Sequence, residues 1–217
     1  MIDAGLYVFM NALLVVDIQN DFLPGGALAV PEGDRVIPII NQLTDHFDLV
    51  LATQDWHPPN HASFAANHPG HKPGEVIDLD GIPQILWPVH CVQHSSGSAF
   101  SPQLRTDRFA KIFQKGTDPK IDSYSTFFDN ARLRSTGLGD YLRKREVDEI
   151  FICGLATDYC VKFSVLDSRT LGFRSHVIED ACRGVNLRPD DSQQAIEEMR
   201  AVGASIIDSG QILRHNR

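Results

Sequence analysis

Residues 149–173 read EIFICGLATDYCVKFSVLDSRTLGF, and this stretch decides the fold because an apolar run passes directly into an amphipathic segment. The run EIFICGL (149–155) is nearly continuous in apolar residues, which is typical of a strand buried on both faces of a parallel sheet. The segment that follows, DYCVKFSVLDSRTLGF (158–173), has the pattern of a helix. The stretch therefore predicts one strand-to-helix unit of an α/β protein.

The rest of the chain repeats this alternation. Five further strand candidates are ALLVVDI (12–18), LVLAT (49–53), AKIFQK (110–115), SHVIED (175–180) and ASIID (204–208). Three further segments look helical, at residues 34–47, 138–146 and 190–203. The alternation predicts a three-layer α/β fold with a mainly parallel sheet of about six strands and helices on both faces.

One region interrupts the alternation. Residues 54–109 are rich in Pro, Gly, His and Ser and contain no clear element longer than a few residues. Two tryptophans and five histidines lie between Gln54 and His90, which disfavours disorder. Because long irregular insertions in compact domains usually carry function, we expect a functional insertion within a single domain of residues 1–217.

Charge and hydropathy exclude several classes of protein. The net charge of -8 argues against a general binder of nucleic acid and against a protein of anionic membrane surfaces. No stretch approaches the roughly 20 apolar residues that a membrane span needs, and the N-terminus lacks the basic region of a signal peptide. The four cysteines form no CxxC pair, and a chain of this length needs no disulfide framework. We therefore expect a cytoplasmic protein.

Polar or reactive side chains follow four of the predicted strands. They are Asp17, Asp55, Lys115 and, just beyond FICGLAT, Cys160. In an open parallel sheet, ligands bind outside the carboxyl ends of the strands, near a switch in strand order. The pattern therefore predicts a site at this edge of the sheet.

Cys160 is the candidate nucleophile of that site. Thr157 or Asp158 can cap the helix, which would place Cys160 in its first turn, where the helix N-terminus favours a thiolate and offers N–H groups to an oxyanion. Asp17 could accept the thiol proton, and Lys115 would stabilise both anions. Taken singly, these residues could equally be a buried cysteine, a turn aspartate and a surface lysine.

A second group indicates a metal site. Residues i and i+2 of an extended segment point to one side, so Asp55 and His57 can share a cation, and His90 would complete a set of two histidines and one carboxylate. Such a set suits Zn, Fe(II) or Mn. The alternative is a group of loop histidines with ordinary hydrogen bonds. His61 is the candidate for an additional member, and the sequence leaves its membership open.

Three aromatic residues lie close in sequence to these polar groups. Phe22, Trp87 and Tyr124 could together sandwich a flat ring, although each one alone is as compatible with core packing. Neither GxGxxG nor GxxxxGK[ST] occurs, so the chain shows no phosphate-binding signature.

The chain resembles the nicotinamidases, also called pyrazinamidases, which belong to the isochorismatase-like cysteine hydrolases. The resemblance covers residues 12–209 and rests on LLVVDIQNDFLPGGALAV, TQDWHPPNHASF, WPVHCVQ, QKGTDPKIDSYSTF and GLATDYCVKFSVLDS. It implies the isochorismatase-like hydrolase fold and a catalytic triad of Asp17, Lys115 and Cys160. It also implies a metal ion that holds the pyridine nitrogen of the substrate, bound by Asp55, His57 and His90.

The resemblance further implies how the substrate is held. The oxyanion donors would be the backbone N–H groups of Ala156 and Cys160, with a cis peptide between Leu155 and Ala156. Phe22 and Trp87 match the positions that pack on the nicotinamide ring, and Tyr124 would line the pocket.

The expected activity is hydrolysis of nicotinamide to nicotinate and ammonia through a thioester on Cys160, in NAD salvage, with pyrazinamide as a further substrate. The expected cofactor is one divalent ion, with Zn placed first and Fe or Mn as alternatives. The expected partner is the small-molecule substrate, with neither nucleic acid nor membrane, and a homodimer is left open.

Three alternatives stay open at this point. One is another amidase of the superfamily, or an isochorismatase-type ether hydrolase, although isochorismatases lack the nucleophilic cysteine that is present here. Another is a hydrolase whose metal generates the hydroxide while Cys160 is inert. The third is a non-catalytic binding protein on the same scaffold, which would bind ligand without releasing ammonia.

Overall fold

The computed structural model describes residues 10–214, so the N-terminal residues that lack the basic region of a signal peptide lie outside the described part up to residue 9. Six strands form the main sheet, and all of its pairings are parallel. They are β1 (Met10–Val16), β2 (Leu49–Asp55), β5 (Phe109–Lys115), β6 (Val147–Leu155), β7 (Arg174–Arg183) and β8 (Ser205–Ile207). Each matches one of the six predicted strands, so the predicted parallel sheet is confirmed. That residues 1–217 form a single domain stays a prediction.

The strand order is β5-β2-β1-β6-β7-β8. The chain runs outward from β1 through β2 to one edge, returns to the centre at β6, and then runs outward to the other edge. The order therefore reverses between β1 and β6. At such a point, connections leave the carboxyl ends of the two strands in opposite directions and open a crevice between them.

Helices cover both faces of the sheet, as predicted. α1 (Val36–Leu43) and α5 (Ser209–Leu213) pack together against β7, whereas α3 (Lys162–Thr170) packs on α4 (Asp191–Ala201) and on β7. α2 (Leu138–Lys144) packs on β6. The four predicted helices are confirmed with somewhat shorter bounds, and the five-residue α5 was too short for periodicity to indicate. None of the helices in residues 10–214 combines the length and apolar character that crossing a membrane requires.

The central strands are buried on both faces, which explains their continuous apolar sequences. Every residue of β2 is buried, and so are the last five residues of β1. Leu14 lies opposite Leu51 on one side and Ile152 on the other. β6 approaches β1 so closely that a Cβ on Gly154 would lie 2.1 Å from the Val16 carbonyl oxygen. Glycine at this position therefore permits the two strands that flank the crevice to pair.

The segment between β2 and β5 contains a hairpin that sequence reasoning missed. β3 (Val76–Leu79) pairs antiparallel with β4 (Ile82–Ile85) through a two-residue turn. Asp80 and Gly81 occupy that turn with φ angles of 53° and 86°. An Asp-Gly pair between apolar residues is a strong hairpin signal, so the sequence did contain the information.

Candidate active site

Lys115 lies at the centre of a buried polar cluster at the carboxyl end of the sheet. Its side chain is 1% exposed and its Nζ lies 2.9 Å from Oδ2 of Asp17. The same ammonium contacts Oδ1 of Asp55 and donates to the Ser123 carbonyl oxygen at 3.0 Å. Nζ also lies 3.3 Å from Sγ of Cys160. The structure thus brings together four residues at, or just beyond, the carboxyl ends of β1, β2, β5 and β6.

Asp17 is fixed immediately beyond β1. Its φ angle is 51°, a left-handed conformation that aspartate tolerates better than most residues, and the turn begins there. Thr53 on β2 donates its hydroxyl hydrogen to Oδ1 at 2.7 Å. The other oxygen faces Lys115, and carboxylate oxygens of Asp17 and Asp55 lie within 4.8 Å of the Cys160 sulfur. Asp17 therefore presents a carboxylate oxygen at a distance from which it could accept the thiol proton.

Cys160 lies in the first turn of the helix, as predicted, but the predicted side-chain cap is wrong. The turn Thr157–Val161 has π-helical bonding, its N-cap is Ala156, and no side chain caps it. Asp158 instead accepts hydrogen bonds from the N–H groups of Val185 at 2.9 Å and Asn186 at 2.7 Å. Its carboxylate thereby ties the loop after β7 to the start of the helix.

Burial controls the protonation of the cluster. It raises the pKa of the Cys160 thiol well above its usual range, and Lys115 only partly opposes this effect. Desolvation therefore outweighs the stabilisation that the helix N-terminus offers a thiolate, and the thiol needs a base for its activation. Burial also raises the pKa of Asp17 against the opposing charge of Lys115. The Lys115 ammonium keeps a raised pKa despite its burial because Asp17 and Asp55 surround it.

Asp55, His57 and His90 form a compact donor set beside this cluster. Oδ2 of Asp55 lies 3.7 Å from Nε2 of His57 and 4.0 Å from Nε2 of His90. Nδ1 of His57 is 2.9 Å from the Gly116 carbonyl oxygen, and Nδ1 of His90 is 2.7 Å from that of Pro88. Because each Nδ1–H donates to a carbonyl, each Nε2 lone pair points toward the carboxylate. This arrangement fits a divalent cation.

The backbone around the donor set holds it in place. Gln19 accepts from the N–H of Asp55 and donates to its carbonyl oxygen, each at 2.8 Å. Gly116 has a φ angle of 64°, and a Cβ there would lie 2.3 Å from Cε1 of His57. Only glycine therefore lets the strand end approach the imidazole ring closely enough to accept its hydrogen bond.

His61 and Asp122 extend the donor set. His61 is fully buried with its ring centroid 4.3 Å from that of His57, and its Nε2 has no hydrogen-bond partner within residues 10–214. Donor atoms of His57, His61 and Asp122 lie within 4.8 Å of one another. Sequence reasoning singled out His61 and missed Asp122, although Asp122 lies within QKGTDPKIDSYSTF, one of the stretches on which the resemblance rests.

An inner pocket opens onto Cys160 between the two halves of the sheet. Its cavity volume is about 30 Å³. The three predicted aromatic residues line it, together with Asp55, His90, Ala156 and Cys160. Phe22 packs against His90 with ring centroids 5.6 Å apart, and the indole N–H of Trp87 donates to the Tyr124 hydroxyl at 3.2 Å. The pocket is therefore a narrow aromatic slot with a thiol at one side and the metal donor set at another.

The expected cis peptide is present between Leu155 and Ala156. It joins the end of β6 to the turn that carries Cys160. Ala156 and Cys160, the two residues expected to supply oxyanion donors, both line the inner pocket. Their role as donors stays a prediction.

Sequence reasoning missed several residues of the pocket wall. Leu28, Asp122, Tyr159 and Val185 also line it. Tyr159 directly precedes the candidate nucleophile Cys160 and lies within GLATDYCVKFSVLDS, so the sequence did contain a signal for it. Val185 reaches the pocket only because Asp158 anchors its loop, a contact between residues far apart in the chain.

A doubly wound parallel sheet with this cluster at its switch point defines a class of hydrolases. The family model of the isochorismatase domain matches residues 11–211. The chain therefore belongs to the isochorismatase domain family.

Several of the proteins similar to this chain are named nicotinamidases. The chain is 53% identical to a nicotinamidase of Escherichia coli strain K12 over 200 residues, which is 90% of this chain and 93% of that protein. A solved Acinetobacter baumanii nicotinamidase/pyrazinamidase superposes with a TM-score of 0.91 at 46% identity, over 93% of this chain and 97% of that one. A Pyrococcus horikoshii pyrazinamidase solved in complex with zinc superposes with a TM-score of 0.74 at 39% identity, over 91% of this chain and 98% of that one. These similarities confirm the resemblance that the sequence motifs indicate.

Proposed function

We propose that this protein is a nicotinamidase that hydrolyses nicotinamide to nicotinate and ammonia, in NAD salvage. The observation that carries the proposal is the convergence of Asp17, Lys115 and Cys160, with the sulfur 3.3 Å from the ammonium nitrogen at the base of an aromatic slot. The identity of the chain to named nicotinamidases supports the choice of substrate within the family.

The first step is proton transfer from Cys160 to Asp17. Because burial raises the pKa of both groups, the thiol is protonated at rest and the carboxylate is a stronger base than an exposed aspartate. Lys115 contacts both groups and stabilises the thiolate as it forms. The thiolate then attacks the carboxamide carbon, and we assign the N–H groups of Ala156 and Cys160 to the resulting oxyanion.

The tetrahedral intermediate collapses when its C–N bond breaks. Asp17 returns the proton to the departing nitrogen, ammonia leaves, and Cys160 holds the acyl group as a thioester. A water then attacks the same carbon, Asp17 accepts its proton, and the C–S bond breaks. The proton returns from Asp17 to the sulfur, and the acid product loses its own proton to solvent and leaves as nicotinate, which restores the resting site.

We propose that Asp55, His57 and His90 hold one divalent metal ion, with zinc as the first candidate and iron or manganese as alternatives. When bound, the metal would coordinate the pyridine nitrogen and so orient the carboxamide toward Cys160. A carboxylate oxygen with two neutral imidazole nitrogens suits zinc, and a related pyrazinamidase was solved in complex with zinc.

Metal content tests this assignment. We expect His90→Ala to reduce the bound metal to well below one ion per chain. His71→Ala is the matched control, because His71 lies in the same segment but is exposed and pairs with Glu75. Equal metal content in the two variants, measured by elemental analysis of the purified proteins, would contradict the assignment.

Ammonia release from nicotinamide, with and without a chelator, tests the activity itself. We expect Cys160→Ala to abolish release while the metal content stays unchanged. Cys182→Ala is the control for loss of another buried thiol, and it should retain release. Ammonia production by Cys160→Ala would exclude the thioester route and favour a metal-generated hydroxide.

Pyrazinamide is proposed as a second substrate because it also carries a ring nitrogen meta to its carboxamide. The four cysteines are buried and unpaired, which supports the proposed location in a reducing cytoplasm. The possible homodimer stays a prediction.

A further inference from the structure

An outer cavity lies next to the inner pocket. Its volume is about 370 Å³, against about 30 Å³ for the inner pocket. Tyr124 and Tyr159 line both cavities and therefore form the wall between them.

Tyr159 is the residue of this wall that can be replaced without loss of a hydrogen bond to Trp87 or Gln84. Both tyrosines are partly exposed, but Tyr124 is held as the acceptor of two hydrogen bonds, from Trp87 and Gln84. Tyr159 is held by edge contacts of its ring: its centroid lies 4.9 Å from that of Trp87 and 5.4 Å from that of Tyr124. Its replacement would therefore open the wall and leave the hydrogen-bonded part in place.

The outer cavity has one apolar side and one charged side. Val76, Pro83 and Ile85 of the β3–β4 hairpin form the apolar side. On the charged side, Lys162 pairs with Glu198 at 3.3 Å and Arg188 pairs with Asp191 at 3.1 Å. Because these charges already have partners, the group best suited to the cavity is an uncharged apolar one lying against the hairpin.

We propose that Tyr159 limits the substrates to small aromatic carboxamides by closing the inner pocket against the outer cavity. This inference rests on the proposed function. With the carboxamide at Cys160 and the ring nitrogen at the metal donors, a bulky ring substituent has no room in the inner pocket. With Tyr159 shortened, the substituent would extend into the outer cavity and contact the hairpin.

The test compares kcat/KM for nicotinamide with kcat/KM for its 4-, 5- and 6-phenyl derivatives. We expect Tyr159→Ala to raise the ratio of phenylnicotinamide to nicotinamide about ten-fold or more for at least one isomer, the scale of discrimination that pocket contacts provide. Tyr159→Phe keeps the ring and should keep the wild-type ratio. Tyr141→Ala, which removes a tyrosine from α2 away from both cavities, should also keep it.

A double variant shows whether the gain uses the outer cavity. Val76→Trp fills that cavity from the hairpin, so Tyr159→Ala with Val76→Trp should lose the gain. The inference is overturned if no isomer gains in Tyr159→Ala, or if the gain persists in the double variant. The proposed function itself is refuted only if the wild-type protein does not hydrolyse nicotinamide. Ammonia release by the wild-type protein therefore tests the proposed function separately from the role of Tyr159.

Discussion

Replacement of Lys115 by methionine tests the buried charge cluster most directly. The ammonium lies 2.9 Å from an oxygen of Asp17, and at an effective dielectric constant of about 20 two unit charges at that distance attract by about 6 kcal/mol. Methionine preserves much of the volume and removes the desolvation cost of the lysine, so the net loss is smaller. We expect Lys115→Met to lower the free energy of unfolding by about 3–5 kcal/mol, the cost of leaving a buried charge without its partner.

That loss corresponds to a fall in Tm of about 6–20 °C, since 1 kcal/mol shifts the Tm of a chain of this size by about 2–4 °C. Lys111→Met is the matched control on the same strand. Lys111 is exposed, with Nζ 4.7 Å from the centroid of the Phe113 ring, and the cation–π contact contributes at most about 1 kcal/mol. Thermal unfolding followed by circular dichroism compares the two variants.

The loss of stability in Lys115→Met should also depend on pH. Burial raises the folded-state pKa of Asp17 above its unfolded value, and removal of Lys115 raises it further. A raised carboxyl pKa contributes stability that is fully present below the unfolded pKa and is lost as pH rises through the folded pKa. We therefore expect the free energy of unfolding of Lys115→Met to be closest to that of the wild type near pH 4 and furthest below it at pH 8.

A double variant distinguishes the loss of charge from the change in side-chain shape. Asp17→Asn combined with Lys115→Met removes the ammonium and one of the two carboxylates that contact it, while Asp55 keeps its charge. The double variant should therefore regain part of the lost stability. The reasoning is refuted if Lys115→Met is no less stable than Lys111→Met, or if its deficit is the same at pH 4 and pH 8.

Two further predictions concern the chemistry of the site. Gly116→Ala would place a Cβ 2.3 Å from the His57 ring, and we expect the affinity for metal to fall about 10–100-fold. Gly70→Ala is the control, because φ at Gly70 is also positive but nothing lies within 4 Å of a Cβ at that position. Equal metal affinities of the two variants, measured by chelator competition, would contradict the role of Gly116. Because Asp17 must be ionised to accept the thiol proton and burial raises its pKa, kcat/KM should fall as pH falls through a midpoint above the ordinary 3.8. A profile that stays flat down to pH 4 would exclude Asp17 as the base.

The sequence predicted the sheet and the convergence of its strand ends because both follow from local patterns. Runs such as those at 12–18 and 149–155 are apolar throughout, and parallel strands end at the same edge. Asp17, Lys115 and Cys160 therefore come together without any knowledge of loop geometry.

The remainder depended on contacts that no local pattern records. The carboxylate of Asp158 fits a helix cap in sequence, yet it binds two N–H groups of the loop after β7. Likewise, the pKa of Cys160 depends on how deeply the thiol is buried, and burial is a property of the assembled fold.

The position of Lys115 has a consequence for how activity fails. β5 is the outermost strand on its side of the sheet, and among the strands in residues 10–214 it pairs with β2 alone. Local fraying of an edge strand costs less free energy than opening a buried centre. Detachment of β5 would withdraw the ammonium while Asp17, just beyond β1, and Cys160, in the turn after β6, stayed in place. Heat or denaturant would therefore abolish catalysis before the core unfolds.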